Sequence, residues 1–377
     1  MRMSWVGAIG AVLASTSALA QSSITLYGLM DTGVEYVSHA NAAGAHVVRM
    51  PGISGELPSR WGLRGAEDMG GGLRAIFALE SGFNTRAGDQ GQGGRLFGRQ
   101  AWVGLDTRWG ALTFGRQYNM VYWALSDADM LGPDTNGIGA LDSYLPNARS
   151  DNSIVYKGVF GGLTAGASYS FGRDAVGTGN SPGQGTCAGQ LAGQFTACRD
   201  WSAMLKYDSA NFGVAAAYDE QRGGANATAG FSDGVAPLPL TSGADKDVRI
   251  QANGYIKFSN FRIGGGWLGR RVETASTAVP DVHSDLFYLG AECFVTPVLS
   301  LDGEAYRMLV EAQNARATMA TVRATYHLSK ATAVYVKSSY LWNSPGASFS
   351  VSAGGGGTTP AHGVGQLGAM VGIRHLF

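Results

Sequence analysis

Past its first twenty positions, this 377-residue chain has no run approaching the ~20 consecutive apolar residues that a membrane-crossing helix needs. Helical insertion is therefore excluded. Cysteine is scarce, and three residues make neither a disulfide framework nor a metal site. The six histidines (His39, His46, His283, His327, His362 and His375) show no metal-ligand spacing on any expected element. No Pro-rich, Ser-rich or charge-block linker divides the chain, which favours one large domain. Basic and acidic residues balance at 28 each, which leaves no electrostatic footprint for a nucleic-acid partner. Lysine is nearly missing, with six residues against 22 arginines. None occurs between Gln21 and Tyr118, a stretch that holds nine arginines. Arginine stays charged and carries a fixed fork of donors, so this bias suits a preorganised positive wall better than flexible lysine would.

What the chain has instead is period-two alternation. Leu367, Ala369, Val371, Ile373 and the terminal Phe377 share one parity, against Gln366, Met370 and Arg374 on the other. That pattern suits a strand with one face toward lipid and the other toward a polar lumen. Glycine reaches 57 residues and enters strand-like runs such as Gly264-Gly265-Gly266, where barrel curvature or close backbone approach requires it. At the other end, Arg2, an apolar run from Trp5 to Leu13 and the small-residue pattern Ala18-Leu19-Ala20 read as a cleaved export signal over residues 1–20. The mature barrel would then span residues 21–377.

About sixteen alternating segments can be counted, starting near Ser22, Pro58, Gly70, Arg95, Trp109, Asp151, Gly162, Asp200, Asn211, Asp247, Asn260, Ser284, Pro297, Ala315, Ala331 and His362. The expected fold is an all-β, sixteen-stranded antiparallel transmembrane barrel. Tight turns such as Asp68-Met69-Gly70-Gly71 alternate with long segments near 172–199, 223–246, 273–283 and 343–361, whose Gly, Ser and Thr content reads as mobile exposed loop. The segment of about 119–150 differs. It carries Val121, Tyr122, Trp123, Leu125, Ile138, Leu141 and Leu145, too apolar for a solvated loop, and is expected to fold inward against the barrel wall.

The inward segment is acidic, with Asp127, Asp129, Asp134 and Asp142 against the single base Arg149. In Arg60-Trp61-Gly62-Leu63-Arg64, parity places Trp61 and Leu63 toward lipid and both arginines toward the lumen. Arginines facing an acidic loop across a narrow aqueous gap form a charged constriction, with Asp127, Asp129 and Asp134 taken from composition as its acidic side. The competing reading pairs the arginines with neighbouring acids such as Glu67, Asp68 and Glu80. Cys187 and Cys198 share a Gly-rich segment where an oxidising exported location permits a local bridge, and both the paired and the free state stay open. Gly363-Val-Gly-Gln-Leu-Gly368 matches a dinucleotide fingerprint in letters alone, since it opens no helix and so implies no cofactor.

Gln21-Ser-Ser-Ile-Thr-Leu-Tyr-Gly28, Ser59 to Leu73, Gly110 to Tyr118, Asp151 to Tyr156 and the closing Gly372-Ile-Arg-His-Leu-Phe377 together resemble the general diffusion porins of β-proteobacteria, the neisserial and Comamonas-type group. The resemblance implies a homotrimer in the lipid of a Gram-negative outer membrane, non-enzymatic, passing small hydrophilic solutes and ions with a weak anion preference. It implies that the third outer loop narrows the channel and that Arg60, Arg99 and Arg149 form the basic cluster there. Arg64 joins them by strand parity, and Gln100 stands where some relatives carry a second base. Phe377 would be the signal read by the barrel-assembly machinery. The alternative is a surface adhesin or antigenic scaffold with a closed lumen.

Overall fold

Alternation becomes geometry in a computed structural model that describes residues 23–52, 55–175, 181, 183–276, 281–311 and 314–377. The expected signal segment lies outside these residues. The first eight barrel strands are β1 (Ser23–Val37), β2 (Arg60–Asp68), β3 (Arg74–Gly82), β4 (Gln100–Thr107), β5 (Gly110–Tyr118), β6 (Arg149–Phe160), β7 (Leu163–Ser170) and β8 (Asp200–Asp208). The remainder are β9 (Phe212–Arg222), β10 (Lys246–Phe258), β11 (Phe261–Glu273), β12 (Val282–Thr296), β13 (Leu299–Val310), β14 (Ala315–His327), β15 (Thr332–Asn343) and β16 (Gln366–Leu376). All sixteen anticipated strands are present. Three starts move: Gly70, Gly71 and Gly72 take positive φ and make the turn, so β3 begins at Arg74, while β4 begins at Gln100 rather than Arg95 and β16 at Gln366 rather than His362.

Each strand pairs antiparallel with the next, and β16 returns to β1 in register from Leu29↔Leu376 to Val37↔Gly368. The first half of β1 pairs β2, from Ser23↔Ala66 to Leu29↔Arg60, so the sheet closes and leaves no edge. β15 shows the division of faces most clearly. Val334, Val336, Tyr340 and Trp342 are exposed, while Ala333, Tyr335, Lys337, Ser339 and Leu341 are buried. Exposed aromatics such as Trp109, Tyr207 and Phe258 near the short turns, and Trp342 near the long loops, suit the two interfacial girdles of a barrel in lipid.

The segment between β5 and β6 folds into the barrel. It opens with a short helix, α1 (Met120–Leu125), and packs Leu131, Ile138, Leu141 and Leu145 against Leu268, Leu286, Met308, Met319 and Leu341 of the inner wall. At roughly 1.5–3 kcal/mol for each buried aliphatic side chain, this contact offsets part of the entropy of ordering the loop. The core of the molecule therefore sits inside the lumen, on one side.

Two of the other long loops depart from the exposed expectation, whereas near 273–283 Ala275, Ser276 and Asp281 are exposed and residues 277–280 lie outside the described residues. Phe231 and Leu240 from residues 223–245, and Ala347, Phe349 and Val351 from residues 344–365, are buried in the same cluster as the inward loop. Their small residues permit this close packing. Cys187 and Cys198 are joined in a disulfide with Cα atoms 5.1 Å apart, and both are buried beside Ala227 and Leu240. Cys293, on β12, is a free, half-exposed thiol on the same strand face as the exposed Leu289.

Gly264 on β11 shows why the wall tolerates so close a loop. A Cβ there would meet Ala128 O at 2.5 Å and collide with the Met130 methyl. We expect Gly264→Val to push the inward loop away from the wall and lower single-channel conductance, while the barrel still folds. Unchanged conductance in a folded variant would show that the loop has slack at this point.

Candidate functional site

The inward loop is held on one side of the lumen by polar contacts as well as apolar ones. On entry, Asn119 Nδ2 donates to Asp219 Oδ1 of β9 at 2.8 Å, and Met120 N donates to Ser202 Oγ of β8 at 2.9 Å. Gln251 Nε2 of β10 donates to Val121 O at 2.7 Å, and Arg249 Nε of the same strand meets Asp142 Oδ2 at 3.2 Å. Farther round, Leu131 N donates to Glu304 Oε2 of β13 at 3.0 Å. Arg323 Nη1 of β14 donates to Asp134 Oδ2 at 3.0 Å, and Lys337 of β15 closes on Asp134 Oδ1. Six strands, β8 to β10 and β13 to β15, thus hold the loop.

These contacts relocate the acids that composition assigned to the aperture. Asp134 is buried between Arg323 and Lys337, its charge neutralised on the far wall. Asp129 is buried in a hydrogen bond with Glu304, and burial pushes its carboxyl up to about 6. Asp127 is the most exposed of the three, and it pairs with Lys206 of β8 and lies 3.9 Å from Arg262 of β11. Asp127 and Asp134 turn toward wall bases that sit at lumen parity directly behind the loop, whereas Asp129 meets the carboxyl of Glu304. Sequence parity shows those bases, but not which loop residue meets them.

On β2 to β6 the arginines gather into one network. Arg99, one residue ahead of β4, is buried; its Nε donates to Glu80 Oε1 at 2.6 Å and its Nη2 to the Tyr118 hydroxyl at 2.7 Å. Arg149 donates from Nη2 to the same hydroxyl at 2.5 Å, and its guanidinium lies 4.3 Å from the Tyr118 ring centroid. Arg60 is half-buried, with Nε 3.7 Å from Glu80 Oε2 and Nη1 on Pro58 O at 3.0 Å. Arg64 is exposed and lies 5.3 Å from the Tyr27 ring centroid, and Tyr27 donates to Glu80 Oε2 at 3.0 Å. All four proposed arginines therefore meet through Glu80, Tyr27 and Tyr118.

The competing reading, arginines paired with neighbouring acids, holds for Glu80 alone within this group. Three other wall arginines are matched, Arg74 with Asp106, Arg95 with Asp174 and Arg116 with Asp151. The network instead sets Arg60, Arg64, Arg99 and Arg149 against the single carboxylate Glu80. Sequence reasoning missed the aromatic part: Tyr122 stacks on Tyr118 at 3.7 Å, Trp123 meets both edge-on, and Lys157 Nζ lies 3.7 Å from the Trp123 ring centroid. These rings place polarizable faces beside cations where few acids are available.

Comparison with known proteins agrees with this architecture. The family model for Gram-negative porins matches residues 7–345. An outer membrane porin protein of Bordetella pertussis is 34% identical over 284 residues, 70% of each chain, and outer membrane porin protein 32 of Delftia acidovorans is 30% identical over 98% of each. Among solved structures, an anion-selective porin from Comamonas acidovorans superposes with a TM-score of 0.75 at 26% identity, covering 95% of this chain and all of that one. The chain thus belongs to the Gram-negative porin family, a β-barrel of the bacterial outer membrane through which small hydrophilic solutes and ions diffuse passively.

Proposed function

We propose that this porin prefers anions, and that the preference arises from the charge imbalance at Arg60, Arg64, Arg99 and Arg149. The observation that carries the reading is the fate of the loop acids: with Asp134 closed on Arg323 and Lys337, and Asp127 on Lys206, little negative charge remains to oppose the arginines across the gap. Arg60 and Arg64 reach the aqueous space, so they are the residues a passing anion meets, while Arg99 and Arg149 act through their field. The structural similarity to a porin described as anion-selective supports the same sign. No chemical step is needed, because diffusion through a charged aperture sorts solutes by size and sign.

The finer assembly reading is a homotrimer, supported by the family resemblance. Phe377 is proposed as the residue that the barrel-assembly machinery recognises. Its backbone closes the seam, with Phe377 N donating to Gly28 O at 3.1 Å and Gly28 N to Phe377 O at 2.8 Å, while its ring remains exposed.

At about 8 Å in water, each removed charge changes an ion's energy by about 0.5 kcal/mol. The two charges act on anion and cation in opposite senses, so replacing Arg60 and Arg99 by alanine should lower the anion-to-cation permeability ratio about thirty-fold, read as reversal potential in a planar bilayer under a salt gradient. An unchanged potential in a folded, conducting double mutant removes these residues from the selectivity account. In the same recordings, a trimer closes in three equal steps, and a silent folded barrel favours the closed-lumen scaffold.

Deleting Phe377 should reduce the folded, heat-modifiable barrel recovered from cells, while purified chain still refolds in detergent. Equal recovery in cells would show that the terminal residue carries no assembly signal.

A further inference from the structure

The two ends of the inward loop come together at a pair of acids. Asp200, at the start of β8, stands opposite Gln221 of β9, and Asp219 of β9 stands opposite Ser202, so the two acids are diagonal neighbours on the lumen face. Both carboxyls are buried, and they hydrogen-bond to each other. Asn119, at the entry of the loop, donates from Nδ2 to Asp219 Oδ1 at 2.8 Å, and Ser150, at its exit, donates from Oγ to Asp200 Oδ2. Asn119 also ties the ends directly, through N to Ala148 O at 3.1 Å and Nδ2 to the Tyr144 hydroxyl at 2.5 Å. Entry and exit therefore close on one carboxyl pair.

A bond between two carboxyls requires a proton. Ionised carboxylates only accept, so two of them in contact repel, whereas one proton between them supplies the missing donor. Two oxygens mark its place: Asp200 Oδ1 and Asp219 Oδ2 are buried with no other donor, while the second oxygen of each acid is occupied by Ser150 or Asn119. No basic nitrogen of the described residues lies within 4.0 Å of either carboxyl. The charged and titratable groups facing the pair from farther off are Arg173 after β7, Arg249 and Asp247 of β10, and Tyr144 of the inward loop. Arg249 already meets Asp142 and Asp247, each at 3.2 Å, and Arg149, beside Ser150, donates to the Tyr118 hydroxyl. Two buried negative charges without an ion-pair partner are costly, and a shared proton removes one of them.

We propose that Asp200 and Asp219 share one proton and act as a clasp that closes the neck of the inward loop, and that losing this proton releases it. Both acids are buried away from the aqueous path, so they are positioning residues: they hold Asn119 and Ser150, and through Ser150 the adjoining Arg149 of the constriction. The closed clasp binds one more proton than the open one, so raising the pH favours the open form. Opening sets two repelling carboxylates at the neck and frees the loop ends to separate.

Asp219→Asn replaces the shared proton with a permanent donor, since an amide at this position can donate to Asp200 Oδ1 and still accept from Asn119. Asp200→Asn makes the same replacement from the other side and serves if the first variant folds poorly. In single-channel recordings from neutral to alkaline pH, the ratio of fluctuating to steady current in wild type should rise by up to about ten-fold per pH unit, the slope of a one-proton equilibrium. Either amide variant should keep the steady pattern farther into the alkaline range. The Asp129–Glu304 pair is present in wild type and variants alike, so the difference between them reports the clasp. The infrared difference spectrum of wild type minus variant at neutral pH should also contain the carbonyl stretch of a protonated carboxylic acid. The proposal is overturned if that band is absent, or if a folded amide variant keeps the wild-type pH profile.

Discussion

The attachment of the inward loop to the wall behind it is the constraint on which the rest of this channel depends. Asp134 between Arg323 and Lys337, Asp142 on Arg249, and Leu131 N on Glu304 fasten a thirty-residue connection to one half of the barrel. A buried ion pair contributes little net stability against an apolar substitute, because desolvation offsets attraction. Its effect here is positional. Removing one partner leaves an uncompensated buried charge, so the loop has one well-defined place to lie. The same contacts remove loop acids from the aqueous gap, and the opposite wall then sets the sign of the field.

That opposite wall faces the reverse problem, since it brings like charges together. Arg99 and Arg149 are both buried and both donate to the Tyr118 hydroxyl, with Glu80 compensating the first and the Tyr118 ring cushioning the second. Arginine tolerates this arrangement better than lysine because its charge is delocalised, weakly hydrated and planar enough to lie on a ring. The compositional bias toward arginine in the first third of the chain thus has a structural reason. It falls on the strands that build the positive wall, while Lys206 and Lys337 serve as anchors for the loop.

Much of the fold was legible in the sequence because barrel strands obey a simple rule. With lipid on one face and lumen on the other, every inward residue is separated from the next by an outward one, so Arg60 and Arg64 could be placed from parity alone. The inward loop was legible from Ile138, Leu141 and Leu145, which no solvated loop would carry. What sequence could not give was the direction of each loop side chain. Composition made Asp127, Asp129 and Asp134 look like one acidic face, whereas each meets a different strand, and those meetings depend on register across the whole barrel. The outer loops were misread for a related reason. Residues such as Ala347 and Gly224 signal mobility when alone and close packing when Phe349, Leu240 and a disulfide lie beside them.

The account stands on the loop acids being neutralised at the far wall, and the most direct test removes one such pair without changing net charge. Reversal potential under a salt gradient should be measured for wild type and for Asp134→Asn combined with Lys337→Met. Equal potentials are expected, because neither charge reaches the aperture. A shift toward stronger anion preference in the double mutant would mean that Asp134 faces the permeating ions, and it would contradict the assignment of the field to the arginine wall alone.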